Sequence, residues 1–470
     1  MPKNALLLFK NDLRLTDNET LVKAIASGKK IVPVYIYNPS SYKNIALGFP
    51  KADQVRVAFL NKSVLDLRDN LKKIGGNLMI VVGKPEELLP ELLVKHDCDT
   101  IYTEQEFATE ELDQLQRIKK VLPEACEIKE TWGRTLYHIE DIPYTISEIP
   151  LTSKAYRTNT TKNTAVRSTK AAPTQISVIP IDENAWGALP TMEELGFKTE
   201  KNYALTYMPG GETEALKRLT YYLFESEQLT EYRWTRNLSL GLDYSSKFSP
   251  YLAVGCLSPR TIYEAVKRYE AEVKKNQSTW WLIFEMVWRD YFTFKLMRFQ
   301  NQIYKTEGYT NTERIFTNDP LLFDRWCSGT TGIPFVDAHM RQLNETGYMS
   351  NRGRVNCSSF LVHDYQIDWT WGAAYFESKL LDYDVGANWM NWHTQAYQIW
   401  YTNPVNQAYK YKAQEYIRKW VDEIVQLDDI NILIPWETEN VKYPKPVTIF
   451  KKWTRAINKI KKETEEEPHL

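Results

Sequence analysis

Residues Ser278–Phe299 read STWWLIFEMVWRDYFTFKLMRF and are apolar on nearly every side of a helical wheel. A helix of that kind belongs inside a large core. At helical spacing Trp281, Glu285, Trp288 and Phe292 share one face, which sets a single carboxylate among aromatic rings. From about Thr213 onward the spacing stays helical, with further helices expected at Thr330–Leu343, Asn351–Tyr365 and Thr370–Leu381. Thirteen of the 15 tryptophans lie between Trp234 and Trp453, so this half reads as an aromatic-rich, all-α domain.

Upstream the period changes. Ala5–Phe9 (ALLLF), Ile31–Tyr37 (IVPVYIY), Leu78–Val82 (LMIVV) and Thr100–Tyr102 are short apolar runs that read as buried strands. Amphipathic segments such as Val55–Leu71 lie between them. That alternation implies βαβ units, a parallel sheet and an N-terminal α/β domain of Rossmann-like type. Ligands on such sheets sit at the carboxyl ends of strands. Neither GxGxxG nor a Walker loop is present, so an ordinary dinucleotide or NTP site is not supported. The expected division is 1–140 for the α/β domain, 141–205 for a linker, 206–440 for the helical domain and 441–470 for a basic tail. Within the linker, Ser153–Ile181 is rich in Thr, Ser, Lys and Ala, has no acid until Asp182, and reads as a long exposed crossing. In the tail, Lys442–Lys462 holds eight basic residues and no acid, and reads as a solvated amphipathic helix in preference to a phosphate-binding patch.

Composition narrows the function classes. The 470 residues are 43% hydrophobic, which excludes disordered and collagen-like chains. Lys+Arg is 59 against 60 Asp+Glu, so any contact with nucleic acid must come from a local patch. Five separated cysteines with no CxxC pair argue against a disulfide framework and a Cys-ligated metal. The five-residue apolar run at the N-terminus is too short for a signal peptide, and no stretch of about 18 uncharged apolar residues occurs. A cytoplasmic protein that touches no membrane and acts as a monomer is expected.

Three clusters carry chemistry. Asp243–Arg260 reads DYSSKFSPYLAVGCLSPR, where Ser245, Ser246 and Ser249 line a turn entering a helix through Pro250. Such starts bind phosphate, although the same string is an ordinary N-cap cluster. Met349–Asn356 (MSNRGRVN) sets Arg352 and Arg354 two apart, and Leu381–Trp392 (LDYDVGANWMNW) does the same for Asp382 and Asp384. Arg–Asp pairing around a polar ligand accounts for them at least as well as a metal, for which no third ligand follows, and a structural ion pair is the default. Glu285 has Arg289 one turn on, so an i,i+4 ion pair competes with a carboxylate aimed at a hydrogen-bonding ligand on an aromatic platform. No GxSxG is present to support a Ser–His–Asp hydrolase.

Taken in order, YxxxR (Tyr232–Arg236), SSKFSPYLAxGCLSPR, FEMVWRDYF, TGIPFVDAHMRQL, SNRGRVN, IDW and LDYDVGANWMNW resemble the photolyase/cryptochrome flavoproteins, and most closely their DASH cryptochromes. The opening FKNDLRLTDNETL is similar to the family's FRxDLRxxDNPAL. The resemblance runs from residue 5 to about residue 400 and implies a helical domain that binds FAD in a bent conformation. It places Tyr232, Ser245, Ser246, Lys247, Phe248, Ser249, Arg289, Arg354, Asp382, Tyr383, Asp384 and Asn388 around that cofactor. Arg354 and Asp382 match the pair beside the isoalloxazine, and Arg289 matches a pyrophosphate partner. Asn388 faces flavin N5, where an amide accepts a hydrogen bond from N5–H without adding negative charge.

For activity the resemblance implies blue-light-driven repair of cyclobutane pyrimidine dimers in single-stranded DNA. Glu285, Trp288 and Asn351 match the pocket of the flipped-out dimer, and Arg352 and Arg236 match positions near the DNA backbone. The retained Glu285 and Trp288 favour repair; of three departures from the family pattern, those at Thr394 and Val355 favour the alternative, a photoreceptor signalling through flavin redox state without repair. Thr394 stands where dimer photolyases carry a second tryptophan and DASH proteins usually Tyr. Val355 replaces a Met or Gln. After Asn403 the family's DPRxxRxFN stretch is absent. A general nucleic-acid binder working by stacking alone is the weaker third option. In the family's electron chain Trp392 matches the flavin-proximal member and Trp369 the middle one, while the third falls at Phe316, so a Tyr, Trp326 or Trp371 is expected to end it. Each tryptophan also reads as simple core. Tyr102–Glu106 matches the YxxxE context in which DASH proteins hold 5,10-methenyltetrahydrofolate as antenna; a solvent-exposed strand-end acid is the equal alternative.

Overall fold

The computed structural model describes residues 3–198, 208–397 and 401–466. Five parallel strands form one sheet: β1 (Asn4–Phe9), β2 (Ile31–Tyr37), β3 (Met79–Val82), β4 (Cys98–Glu104) and β5 (Glu127–Thr131), in the order β3-β2-β1-β4-β5. Four match the apolar runs. Glu127–Thr131 (EIKET) hid from the hydrophobic pattern because its side chains are charged and mostly exposed, as an edge strand requires. The order reverses between β1 and β4, so the ligand crevice is expected beyond Phe9 and Glu104.

Helices α1 (Glu19–Ala26), α2 (Gln54–Lys73), α3 (Pro85–Lys95) and α4 (Thr109–Val121) join the strands; α5 (Ser153–Asn163), α6 (Glu212–Thr220), α7 (Tyr232–Thr235), α8 (Ser249–Ala253), α9 (Pro259–Glu272) and α10 (Gln277–Phe299) follow. The remainder are α11 (Pro320–Ser328), α12 (Pro334–Thr346), α13 (Asn351–Ser359), α14 (Trp369–Lys379), α15 (Val385–Tyr397), α16 (Pro404–Lys410), α17 (Gln414–Trp420) and α18 (Thr454–Glu466). Packing divides the chain into two compact units. One comprises Met1–Arg233, Ser246–Asn301 and Leu381–Ala387; the other comprises Trp234–Ser245, Gln302–Leu380 and Asn388–Leu470. Among the described residues no helix is long and apolar enough to cross a membrane.

In the first unit Leu6, Leu8, Val32 and Val34 pack against Leu89, Leu92 and Leu93 of α3. Most of the Ser153–Ile181 stretch is exposed or half-buried, with one regular element at its start. It holds α5, whose Tyr156 and Thr160 lie one turn apart and fully buried. Tyr156 meets Tyr144, Tyr291 and Phe294, so two well-spaced residues anchor a segment whose other positions are polar. Asn276 opens α10 with a capping box through Thr279.

In the second unit Asp368 caps α14 by accepting from Thr370 N, which seats Trp369 at the helix start. The tail buries Trp453, Ala456, Ile457 and Ile460 and exposes Lys451, Lys452, Arg455 and Lys459, an amphipathic arrangement.

Candidate functional site

In the first unit α10 is the spine. The indole of Trp281 donates Nε1–H to Glu285 Oε1 at 2.9 Å. Trp288 packs on Phe292 (5.3 Å between centroids) and Phe284 (6.3 Å), and the Arg157 guanidinium of α5 lies 5.2 Å from its ring centre. Arg289 turns away from Glu285: its Nη2 meets Asp384 Oδ2 at 3.2 Å and its Nη1 donates to the Arg134 carbonyl at 2.6 Å. The i,i+4 pair allowed by the sequence is therefore replaced by a long-range one. The other Asp384 oxygen accepts from Ala387 N at 3.0 Å, so one carboxylate both caps the start of α15 and holds Arg289. Asp290, fully buried, accepts from the Leu136 and Tyr137 amides, yet burial outweighs those bonds and pushes its pKa up to about 7.

The serine-rich turn sits in the same unit from Ser246 on. Lys247 adopts φ 60, a left-handed conformation uncommon for a side-chain-bearing residue, and is buried. The Ser246 carbonyl accepts from Arg218 Nε at 3.0 Å, fixing the turn's backbone. The Ser246 hydroxyl makes no hydrogen bond among the described residues. Phe248 packs edge-on to Tyr222, as does Tyr232. Ser249 is exposed and begins α8 ahead of Pro250. Asp382 is buried, and Arg56 lies over the Tyr383 ring at 4.8 Å.

In the second unit, Ser245 precedes the turn, and Asn388 is buried and donates Nδ2–H to the Ala373 carbonyl at 3.0 Å. That bond uses one of the two N–H groups and fixes the amide's orientation, and the Oδ1 can accept, the polarity a flavin N5–H needs. Within the first unit, a buried turn with an unused hydroxyl and a buried acid–arginine pair suit the phosphates of FAD; within the second, this amide suits a flavin N5–H. Arg354 donates Nε–H to the Met349 carbonyl at 3.0 Å. Arg352 reaches Asn237 Oδ1 at 2.9 Å and Gln407 Oε1 at 3.4 Å, with its guanidinium over the Tyr411 ring at 4.6 Å. Burial lowers its pKa, and the like charge of Arg236 adds to that. Gln407 and Tyr411 come from the stretch that departs from the family pattern, and sequence reasoning assigned them nothing; its one signal was polar and aromatic residues at helical spacing after Asn403.

Asn351 is exposed at the start of α13, which Ser350 caps by accepting from Gly353 N at 3.1 Å. Val355 is half-buried, and Thr394 donates its hydroxyl to the Met390 carbonyl at 2.7 Å, on its own helix. Trp392 packs on Phe376 (5.0 Å) and Trp326 (6.1 Å). Gly372 makes room for it, since a Cβ there would stand 2.2 Å from the Trp392 ring. Trp326 is stacked on Phe323, which meets Trp371 at 5.3 Å. Trp369 donates Nε1–H to the Thr306 carbonyl and packs on Trp389 (5.9 Å) and His393 (5.7 Å), itself stacked on Tyr309 at 4.1 Å. Phe316 is half-buried under Arg314.

Glu106 lies just past β4 in the crevice the strand order marks. It is buried rather than solvent-exposed, 2.7 Å from Lys10 Nζ and 3.9 Å from Arg134 Nη2. Burial pushes its carboxyl up, but Lys10 and Arg134 outweigh that and leave the pKa below the ordinary value. Arg134 also pairs with Glu104 at 3.2 Å, whose pKa burial raises. Two adjoining cavities of about 210 Å³ each share Glu106, Glu111, Tyr35 and Tyr42 as lining; one also reaches Arg56, Tyr383 and Asp384. Lys10 and Arg134 escaped notice because an isolated basic residue past a strand carries no local signal.

Residues 5–176 match the family model of DNA photolyase, and residues 281–467 match that of the FAD binding domain of DNA photolyase. The chain is 39% identical over 464 residues to cryptochrome DASH of Natronomonas pharaonis, covering 94% of this chain and 97% of that one. With cryptochrome DASH of Synechocystis sp. the identity is 40% over 480 residues, covering 98% of each. A crystal structure of a Synechocystis cryptochrome superposes with a TM-score of 0.90 at 38% identity, covering 98% of this chain and 99% of that one. The chain therefore belongs to the photolyase/cryptochrome family of FAD flavoproteins, most like its DASH cryptochromes.

Proposed function

We propose that this protein repairs cyclobutane pyrimidine dimers in single-stranded DNA under blue light. The observation that carries the reading is the face of α10, where Glu285, held by Trp281 at 2.9 Å, stands one turn from Trp288. When bound, FAD supplies light absorption and lends the electron that splits the cyclobutane ring. Glu285 hydrogen-bonds the pyrimidine edge, Trp288 stacks on the lesion and Asn351 lines its rim. Arg352 and Arg236 attract the phosphate backbone.

For the cofactor, Tyr232, Ser245, Ser246, Lys247, Phe248, Ser249 and Arg289 hold the phosphate side, and Arg354, Asp382, Tyr383, Asp384 and Asn388 hold the ring side. Trp392 passes electrons toward the flavin. Trp369 serves in that chain, and the packing of Trp392 on Trp326, then Phe323 and Trp371, supports a second route to the surface. The cavities beside Glu106 suit 5,10-methenyltetrahydrofolate as antenna, with Glu106 and Lys10 meeting its polar ring.

One observation favours the photoreceptor reading. Thr394 turns its hydroxyl back onto Met390, so that position offers the lesion neither a ring nor a free donor. Irradiating the reduced protein with a dimer-bearing single strand separates the two. Light-dependent loss of the dimer supports repair. An intact dimer, with flavin bound and photoreducible, supports the receptor.

A further inference from the structure

We infer that the first turns of α10 carry a stacking strip for unpaired nucleobases that flank the lesion, an inference that rests on the DNA-repair reading above. Trp280 is 52% exposed on a helix that otherwise buries most of its large side chains. Its ring lies 4.8 Å from Phe284 and 5.7 Å from Trp281, and those two meet at 5.1 Å. Phe284 continues the series to Trp288 at 6.3 Å. From position 280 to 288 the helix rises roughly 12 Å, a length that three or four nucleotides of one strand span.

Cations accompany the rings. Arg233 lies 5.2 Å from the Trp281 ring centre and Arg157 lies 4.2 Å from that of Phe284. Helix α5, which supplies Arg157, also exposes Lys154 and Lys162, and no acid occurs between Glu148 and Asp182. The exposed Trp280 ring, next to half-buried rings with guanidinium groups over them and beside a basic segment free of acids, suits the faces of bases and the phosphates that join them. A duplex withholds its base faces, so this surface selects unpaired strand. The Trp281–Glu285 hydrogen bond makes Trp281 a positioning residue as well, joining the strip to the carboxylate that reads the lesion.

The test uses FAD-loaded protein and an undamaged labelled oligothymidylate at fixed salt, with repair of a dimer-bearing strand measured in parallel. Trp280→Ala should weaken binding of the undamaged strand roughly tenfold, as expected for one lost stacking contact. Trp281→Phe, which keeps a ring but not the N–H, should bind the undamaged strand within about twofold of wild type yet slow dimer repair several-fold. Matching flavin absorbance and thermal unfolding would establish that both variants are folded. Wild-type binding by Trp280→Ala, with repair proceeding, would overturn the strip and leave the repair reading standing. Loss of strand affinity in Trp280→Ala, in a protein that repairs nothing, would uphold the strip and sink repair. If Trp280→Ala kept its strand affinity and lost only a protein partner, the strip would be overturned in favour of a protein interface.

Discussion

Arg289 Nη2 stands 3.2 Å from Asp384 Oδ2, and the pair is nearly closed to water, at 11% and 6% side-chain exposure. Removing one member of such a pair leaves a buried charge uncompensated, at about 3–5 kcal/mol. Arg289→Leu should therefore lower the urea midpoint and release FAD during purification, seen as loss of visible absorbance. Arg289→Lys should recover part of the stability, because it restores the charge without the fork that also reaches the Arg134 carbonyl.

Glu106 should govern the antenna. Glu106→Gln removes the charge that Lys10 and Arg134 both face. Reconstitution with 5,10-methenyltetrahydrofolate should then fall at least tenfold in affinity while FAD content is unchanged. Folate released on denaturation in equal amounts from variant and wild type would dismiss the assignment.

Photoreduction should depend on Trp392. Trp392→Phe should abolish light-driven flavin reduction under external reductant, and Trp326→Phe should slow it. Transient absorption after a laser flash checks both. A wild-type rate in Trp392→Phe would remove the chain, and an unchanged rate in Trp326→Phe would return the exit route to Trp369.

Stability should fall as pH rises, through Asp290. Its folded pKa of about 7 exceeds the ordinary 3.8, so the folded state favours the neutral acid. The associated stability is complete below pH 3.8 and is lost as pH climbs through 7. It amounts to about 4 kcal/mol. The denaturant midpoint of wild type, compared with Asp290→Asn between pH 5 and 8, isolates the effect, and the variant should show the flatter profile.

The sheet and the long central helix were legible because β1–β4 are short apolar runs and α10 is a long one, apolar on nearly every side. β5 was not, since a charged edge strand looks like a loop. Neither was α5, where Tyr156 and Thr160 alone carry the packing of a polar segment. Within the site, motif residues could be numbered from sequence, but their partners could not. Arg289 had Glu285 as its near neighbour in sequence and takes Asp384, 95 residues away. The Lys10–Glu106 pair likewise exists only because β1 and β4 are adjacent in the sheet. Long-range ion pairs follow topology, which local spacing does not encode.

Repair on an unpaired strand must proceed despite Thr394 and Val355. Its most direct test compares light-driven loss of the same cyclobutane dimer from a single strand and from a duplex, with reduced protein and a dark control. Light-dependent repair of the single strand should run at least tenfold faster than that of the duplex and should collapse in Glu285→Ala with flavin retained. Equal rates on both substrates, or no repair by a protein whose flavin is bound and reduced, would contradict it.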